Sequence, residues 1–150
     1  MNKLLEGLES GQVDLFEKAC ESRDFSAGED ILSEKSEGDS LFYLKKGKAE
    51  ARKVLSSEDY KHLTYLDAGD FFGEMSFLCG FQRSASVVAE DECRVLEMRR
   101  EAFEKMAKEN PQVASGIYRN IATELAARLK KNNNDLKKAI LWAIEGADFK

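Results

Sequence analysis

Between about Phe25 and Arg99 the chain is cut every few residues by glycine and acidic turn signals, and this punctuation constrains its fold more than any other feature. The runs it separates are short and rich in β-formers. They are Asp30 to Leu32, Ser40 to Leu44, Lys48 to Leu55, His62 to Leu66, Ser84 to Ala89 and Arg94 to Met98. Between them stand Gly28, Glu37-Gly38-Asp39, Lys46-Gly47, Asp67-Ala68-Gly69-Asp70 and Glu90-Asp91-Glu92. Such runs are too short for helices, and short strands at regular spacing predict an antiparallel sandwich or barrel.

Helices flank this β-region. Leu4, Leu5 and Leu8, then Val13, Leu15, Phe16 and Ala19 recur near helical spacing, broken at Gly11, which predicts two short helices. Beyond Arg99, Phe103 and Met106-Ala107 suggest a short helix, and Asn110-Pro111 is a start signal for a longer one. Along it Tyr118, Ala122, Leu125, Leu129, Leu136, Ala139 and Ala143 follow the alternating three-and-four step of a coiled-coil seam. Asn132 interrupts that seam, and Asn132-Asn133-Asn134 is a place for a break or hinge because asparagine is a poor helix former. The fold class predicted is therefore mostly β: an antiparallel β-roll (jelly roll) at about 25–99, N-terminal helices, and a long C-terminal helix from about 111. Residues 1–135 are expected to form one domain and 136–150 a helical tail ending at Gly146.

Composition narrows the function. In 150 residues there is one histidine, His62, so a metal-dependent barrel enzyme would lack its usual imidazole ligands. His62 lies in a polar stretch and is expected at the surface. Cys20, Cys79 and Cys93 show no CxxC spacing, and three cannot all pair; they are read as reduced, mostly buried thiols. A net charge of −5 argues against general affinity for nucleic acid or an anionic membrane. No apolar run approaches the roughly 20 residues of a membrane span, and the N-terminus does not resemble a signal peptide. A cytoplasmic, non-catalytic protein is expected.

The segment that carries chemistry runs from Gly69 to Val87. Phe72-Gly73-Glu74 ends a β-run, and Met75-Ser76-Phe77-Leu78 can make one helical turn whose first N–H groups lack intrahelical partners and can cradle an anion. Gly73 allows close approach of the chain to a ligand. Arg83 opens the next strand, and its guanidinium matches a phosphate diester in bidentate fashion. Glu74 is an acceptor that a sugar hydroxyl would suit, and Ser84 adds a hydroxyl. An ordinary surface ion pair between Glu74 and Arg83 is the plain alternative.

Phe-Gly-Glu, eight intervening residues, then Arg-Ser-Ala-Ser-Val resembles the phosphate-binding cassette of the cyclic-nucleotide-binding domain family, which includes the bacterial catabolite activator protein and the regulatory subunits of cAMP-dependent protein kinase. Phe25 to Leu32, with its glycine turn, and Asp39 to Gly47 resemble the family's other two motifs, in order. The resemblance spans about Phe25 to Lys131. It implies that Glu74 takes the ribose 2′-hydroxyl and Arg83 the cyclic phosphate, assisted by Ser84, Ala85 and the chain from Phe72 through Gly73 and Met75 to Ser76. The residue before the arginine is Gln82, where the kinase branch often has proline, which suggests a bacterial-type cassette. Asn132 and Asn133 match positions that contact the base in the catabolite activator branch; Asn132 equally suits a register-setting role in a dimer seam. Arg128 either pairs with Glu74 or is simply solvated. Trp142 is either a lid over the base or a packing residue of the tail.

The resemblance implies a regulatory sensor of cAMP or cGMP, with no catalytic cofactor and no metal, a homodimer through the C-terminal helix, and an unknown downstream protein. Ser84 does not choose between the two nucleotides. A helix-turn-helix would need roughly 60 more residues after this helix, so a sensor without an attached DNA-binding output is expected. The competing expectation is a β-roll interaction module of the same fold that has lost nucleotide binding.

Overall fold

Leu41-Phe42-Tyr43-Leu44 is a continuous apolar run, and a strand of that kind needs cover on both faces. In the computed structural model, which describes residues 3–148, it gets it. The elements in chain order are α1 (Ser10–Ala19), β1 (Glu21–Phe25), β2 (Asp30–Leu32), β3 (Leu41–Lys46), β4 (Ala49–Val54), β5 (Tyr60–Leu66), β6 (Phe71–Phe72), α2 (Glu74–Cys79), β7 (Ser86–Ala89), β8 (Cys93–Met98), α3 (Arg100–Glu109) and α4 (Pro111–Asp148). Two four-stranded sheets, ordered β1-β8-β3-β6 and β2-β7-β4-β5, form the roll, and every pairing is antiparallel.

Alternation along β3 sorts its side chains. Phe42 and Leu44 join Phe72, Val95, Ile31, Ala49, Leu66 and Val87 in the core between the sheets. Leu41 and Tyr43 join Phe71, Leu96 and Met98 in a second core, closed by Phe16, Phe103, Met106, Val113, Ile117 and Ile121 of the helices. Burying one such side chain contributes about 1.5–3 kcal/mol, so these two cores clamp β3 and β6 from both sides and fix the start of α2 that follows β6.

The structure bears out the β-roll with flanking helices and corrects several of its parts. The roll begins at Glu21 rather than near Phe25: β1 is an edge strand whose charged sequence hid it. Cross-strand pairs hold it, Arg23 to Glu97 at 3.0 Å and Asp24 to Arg94 at 3.0 Å, and charge on an edge is how sheets avoid pairing with other chains. Gly11 breaks no helix. It sits in the first turn of α1, where backbone N–H groups have no intrahelical partner to lose, and Glu9 and Gln12 cap that turn. Residues 3–7 form turns instead of a first helix, yet Leu4 and Leu5 are buried.

The asparagine run does not break α4, which is continuous past Gly146. Asparagine lowers helix propensity by fractions of a kcal/mol per residue and removes no hydrogen bond. Among the cysteines only Cys93 is buried; Cys79 is exposed, against expectation, and Cys20 is half-buried. Burial, with Glu17 and Glu97 adding to it, pushes the Cys20 thiol up to about 12. His62 is half-exposed, but its Nδ1 lies 2.6 Å from Glu50 Oε2, so it has a partner besides water. Among the described residues no helix is long and apolar enough to cross a membrane, and no group of histidine, cysteine or carboxylate side chains is placed to hold a metal ion.

Candidate functional site

At the end of β6 the chain turns sharply into α2, and Gly73 makes the turn at φ +80°. A side chain there would be strained by that angle, and its Cβ would sit 3.0 Å from both Arg83 Nη1 and the Ser40 carbonyl oxygen. The first intrahelical bond of α2 runs from the Phe77 N–H to the Gly73 carbonyl at 3.1 Å, so the N–H groups of Glu74, Met75 and Ser76 stand ahead of it. Phe72 is buried and stacks on Phe42, with ring centroids 5.3 Å apart. Met75 is part-exposed at the surface of the turn.

Arg83 is 4% exposed. Its Nη1 donates to the carbonyls of Ser40 at 3.0 Å and Gly73 at 3.2 Å, while Nε is buried with no hydrogen-bond partner. Its own backbone is paired to the 33–39 loop, the Arg83 N–H donating to the Ser36 carbonyl and the Lys35 N–H to the Arg83 carbonyl. Burial pulls the guanidinium below its ordinary pKa, opposed by the charges of Glu97, Asp39 and Glu74; an arginine stays cationic regardless. Ser76 Oγ is the other buried side-chain atom here without a partner.

Glu74 does not pair with Arg83. It is buried, and its Oε1 accepts from Arg128 Nη1 of α4 at 2.6 Å. Arg128 Nε donates in turn to Glu124 Oε1 at 3.3 Å. Lys3 Nζ lies 3.4 Å from Glu124 Oε1 and 3.4 Å from Asp70 Oδ1.

All of these groups line one cleft of about 610 Å³, within the roughly 300–1,000 Å³ of small-molecule sites. Its walls are Ala51 of β4, Leu63 to Leu66 of β5, Phe72 to Ser76, Arg83 to Ala85, and Glu124, Arg128, Lys131 and Asn132 of α4, with Lys3 and Asp70 at one side. The structure thus brings together Phe72, Gly73, Glu74, Met75, Ser76, Arg83, Ser84, Ala85 and Asn132. It does not bring Asn133, one helical step round from Asn132, to the cleft walls, nor Trp142, which is 77% exposed. Ser84 is exposed, and its carbonyl accepts from Lys53 Nζ at 2.9 Å. Sequence reasoning missed Lys3, Asp70 and Glu124. Nothing local to those residues marks them, since their roles come from packing of the N-terminal segment on α4.

The chain is similar to known proteins over most of its length. The family model for the cyclic nucleotide-binding domain matches residues 22–110. The CRP-like cAMP-activated global transcriptional regulator of Mycobacterium tuberculosis is 26% identical over 143 residues, 95% of this chain and 62% of that protein. The cAMP-dependent protein kinase regulatory subunit of Neurospora crassa is 35% identical over 88 residues, 59% of this chain and 22% of that one. The crystal structure of Thermus thermophilus catabolite activator protein superposes with a TM-score of 0.80 at 29% identity, covering 90% of this chain and 62% of that one. The chain therefore spans under two thirds of the length of these relatives. With 22–110 matched and the fold shared, it belongs to the cyclic nucleotide-binding domain family.

Proposed function

We propose that this chain binds a cyclic nucleoside monophosphate, cAMP or cGMP, in the cleft between α2, the roll and α4, and acts as a regulatory sensor without catalysis. The observation that carries this is a pair of buried polar atoms without a partner, Arg83 Nε and Ser76 Oγ, on two residues that line the same cleft. Leaving buried donors unpaired costs about 1–3 kcal/mol each, and an anion's oxygens would satisfy both. The cyclic phosphate meets Arg83, Ser76, Ser84 and the backbone from Gly73 to Ser76. Arg128 occupies one carboxylate oxygen of Glu74, which leaves the other for the ribose 2′-hydroxyl. Asn132, an amide that donates and accepts, faces the base.

Arg128 and Asn132 lie on α4, so occupancy of the cleft bears directly on the position of that helix. The apolar side chains Leu129, Leu136, Ile140 and Ile144, exposed in the single chain, supply a face for a second copy. We take the homodimer to be formed there and the signal to pass along α4 to a downstream partner.

Titration calorimetry of nucleotide-free protein with cAMP and with cGMP tests the reading. Heat is expected with at least one of them, and Arg83→Lys, which keeps the charge but loses the guanidinium fork, should weaken binding by about a hundredfold. No heat with either nucleotide sinks the reading and leaves a β-roll interaction module in its place.

A further inference from the structure

The charged groups at the rim of the cleft alternate in sign along a chain: Asp70, Lys3, Glu124, Arg128, Glu74. Three carboxylates share two cations, and all five side chains line the cleft. The two ends of the chain are fixed to the roll. Asp70 is held by the turn it closes, its Oδ2 accepting from the Asp67 N–H at 2.8 Å, and Glu74 by α2. The middle, Glu124 and Arg128, rides on α4. Side-chain exposures of 18% for Glu124 and 8% for Glu74 make both carboxylates dependent on a cation, because water cannot solvate them fully.

Lys3 is well placed to serve Glu124, and its backbone cannot drift. The Lys3 N–H donates to the Gly69 carbonyl at 3.0 Å. One residue on, Leu4 is fully buried, and Asn120 Nδ2 on α4 donates to the carbonyls of Leu4 at 2.7 Å and Glu6 at 2.8 Å. Leu8 lies so close that a Cβ on Gly116 of α4 would meet it at 3.0 Å. The segment from Lys3 to Leu8 is therefore a strap across α4 that presents the Lys3 ammonium to the cleft.

We propose that Lys3 is a positioning residue of the nucleotide site. By neutralising Glu124 it leaves Arg128 free to hold Glu74 in the orientation that accepts the ribose. This rests on the binding function proposed above. Arg128 makes its shorter contact with Glu74, 2.6 Å against 3.3 Å to Glu124. Without Lys3 the Glu124 carboxylate has Arg128 alone, and the guanidinium is drawn away from Glu74 toward it. The ribose acceptor then loses the group that orients it, although no residue touching the nucleotide has changed.

The test is a cycle of variants in the full chain: Lys3→Met, Lys3→Arg, Glu124→Gln, and Lys3→Met with Glu124→Gln, each titrated with cAMP and cGMP and melted without ligand. Lys3→Met should weaken binding by about threefold to fivefold, the range of a part-exposed ion pair. Lys3→Arg should restore it, and in the Glu124→Gln background Lys3→Met should change nothing. A wild-type protein that binds while Lys3→Met binds equally well overturns the proposal. So does an equal loss in the Glu124→Gln background, which would mean that Lys3 acts only on stability or directly on the ligand. A wild-type protein that binds neither nucleotide overturns the function itself, and is recognised before any variant is compared.

Discussion

At the scale of single residues, the clearest case of a charge held by its neighbours lies outside the cleft. Glu50 is buried on β4 with Arg52 and His62 as partners, Arg52 Nε donating to one carboxylate oxygen and His62 Nδ1 meeting the other. Burial, the largest influence, pushes its pKa up, but the hydrogen bonds and charges of Arg52 and His62 together hold it below the usual 4.5. A carboxyl depressed on folding binds fewer protons native than unfolded, so its stabilising contribution is present above about pH 4.5 and is lost as pH falls through the lower folded value. Thermal melts of wild type and Glu50→Gln should therefore differ most between about pH 5 and 7, with wild type higher, and converge as pH falls through the lower folded value. A gap that does not change with pH would mean that the ionised carboxylate is not what stabilises this sheet. In the cleft, the residues legible from local pattern were those close together along the chain, while Asn132 and Arg128 came in only beside the resemblance. Glu74 and Arg83 stand in one segment with a recognisable spacing. Lys3 and Glu124 are more than a hundred residues apart in the sequence and meet only because Leu4 and Asn120 dock the N-terminus on α4.

Elements were legible where one physical signal dominated. The apolar runs of β2, β3 and β8 and the Asn110-Pro111 start of α4 were read to within a residue or two, because side-chain period and capping chemistry are local. β1 was not, since it is held by cross-strand charge, and β6, two residues long, was read only as the end of a β-run at Phe72. The asparagine run misled for the opposite reason: a modest propensity cost is overridden in a long helix that keeps every hydrogen bond. That helix raises its own energetic question. From Leu129 to Glu145 every side chain is exposed, a stretch of roughly 25 Å at 1.5 Å per residue that packs on nothing in the single chain. A helix of that length is marginal in water by itself. We therefore expect hydrogen exchange of the amides from 129 to 145 to slow as protein concentration rises, when a second copy covers Leu129, Leu136, Ile140 and Ile144, while the amides of β3 and β8 do not change. Slow exchange at every concentration would show that the helix needs no partner.

For the whole molecule, the proposed function ties two equilibria together through Arg128 and Asn132. Both line the cleft, and one and four residues along the same helix stand Leu129 and Leu136, exposed side chains of the face proposed for a second copy. A rigid helix cannot adjust at one of these sites and ignore the other, so on that proposal nucleotide binding and self-association share a conformational variable. Linkage then sets a strict condition: a homodimer carries two clefts, so the factor by which saturating nucleotide changes the dimer constant equals the square of the factor by which dimerisation changes the affinity of each cleft. The measurement is sedimentation equilibrium with and without saturating nucleotide, set beside calorimetry of wild type and of Leu129→Asp with Leu136→Asp, charges that should disperse the dimer. If α4 carries the signal, the charged variant is monomeric, binds nucleotide with an affinity altered by a factor of about 5–150, and shows no nucleotide-dependent association. The square of the factor from calorimetry must match the shift in the wild-type dimer constant. Agreement between two independently measured factors is more demanding than either change alone, because a variant that merely damaged the cleft would weaken binding without any matching shift in self-association. A dimer constant indifferent to nucleotide would place the readout elsewhere, and the N-terminal segment that sets Lys3 at the cleft is then the next candidate.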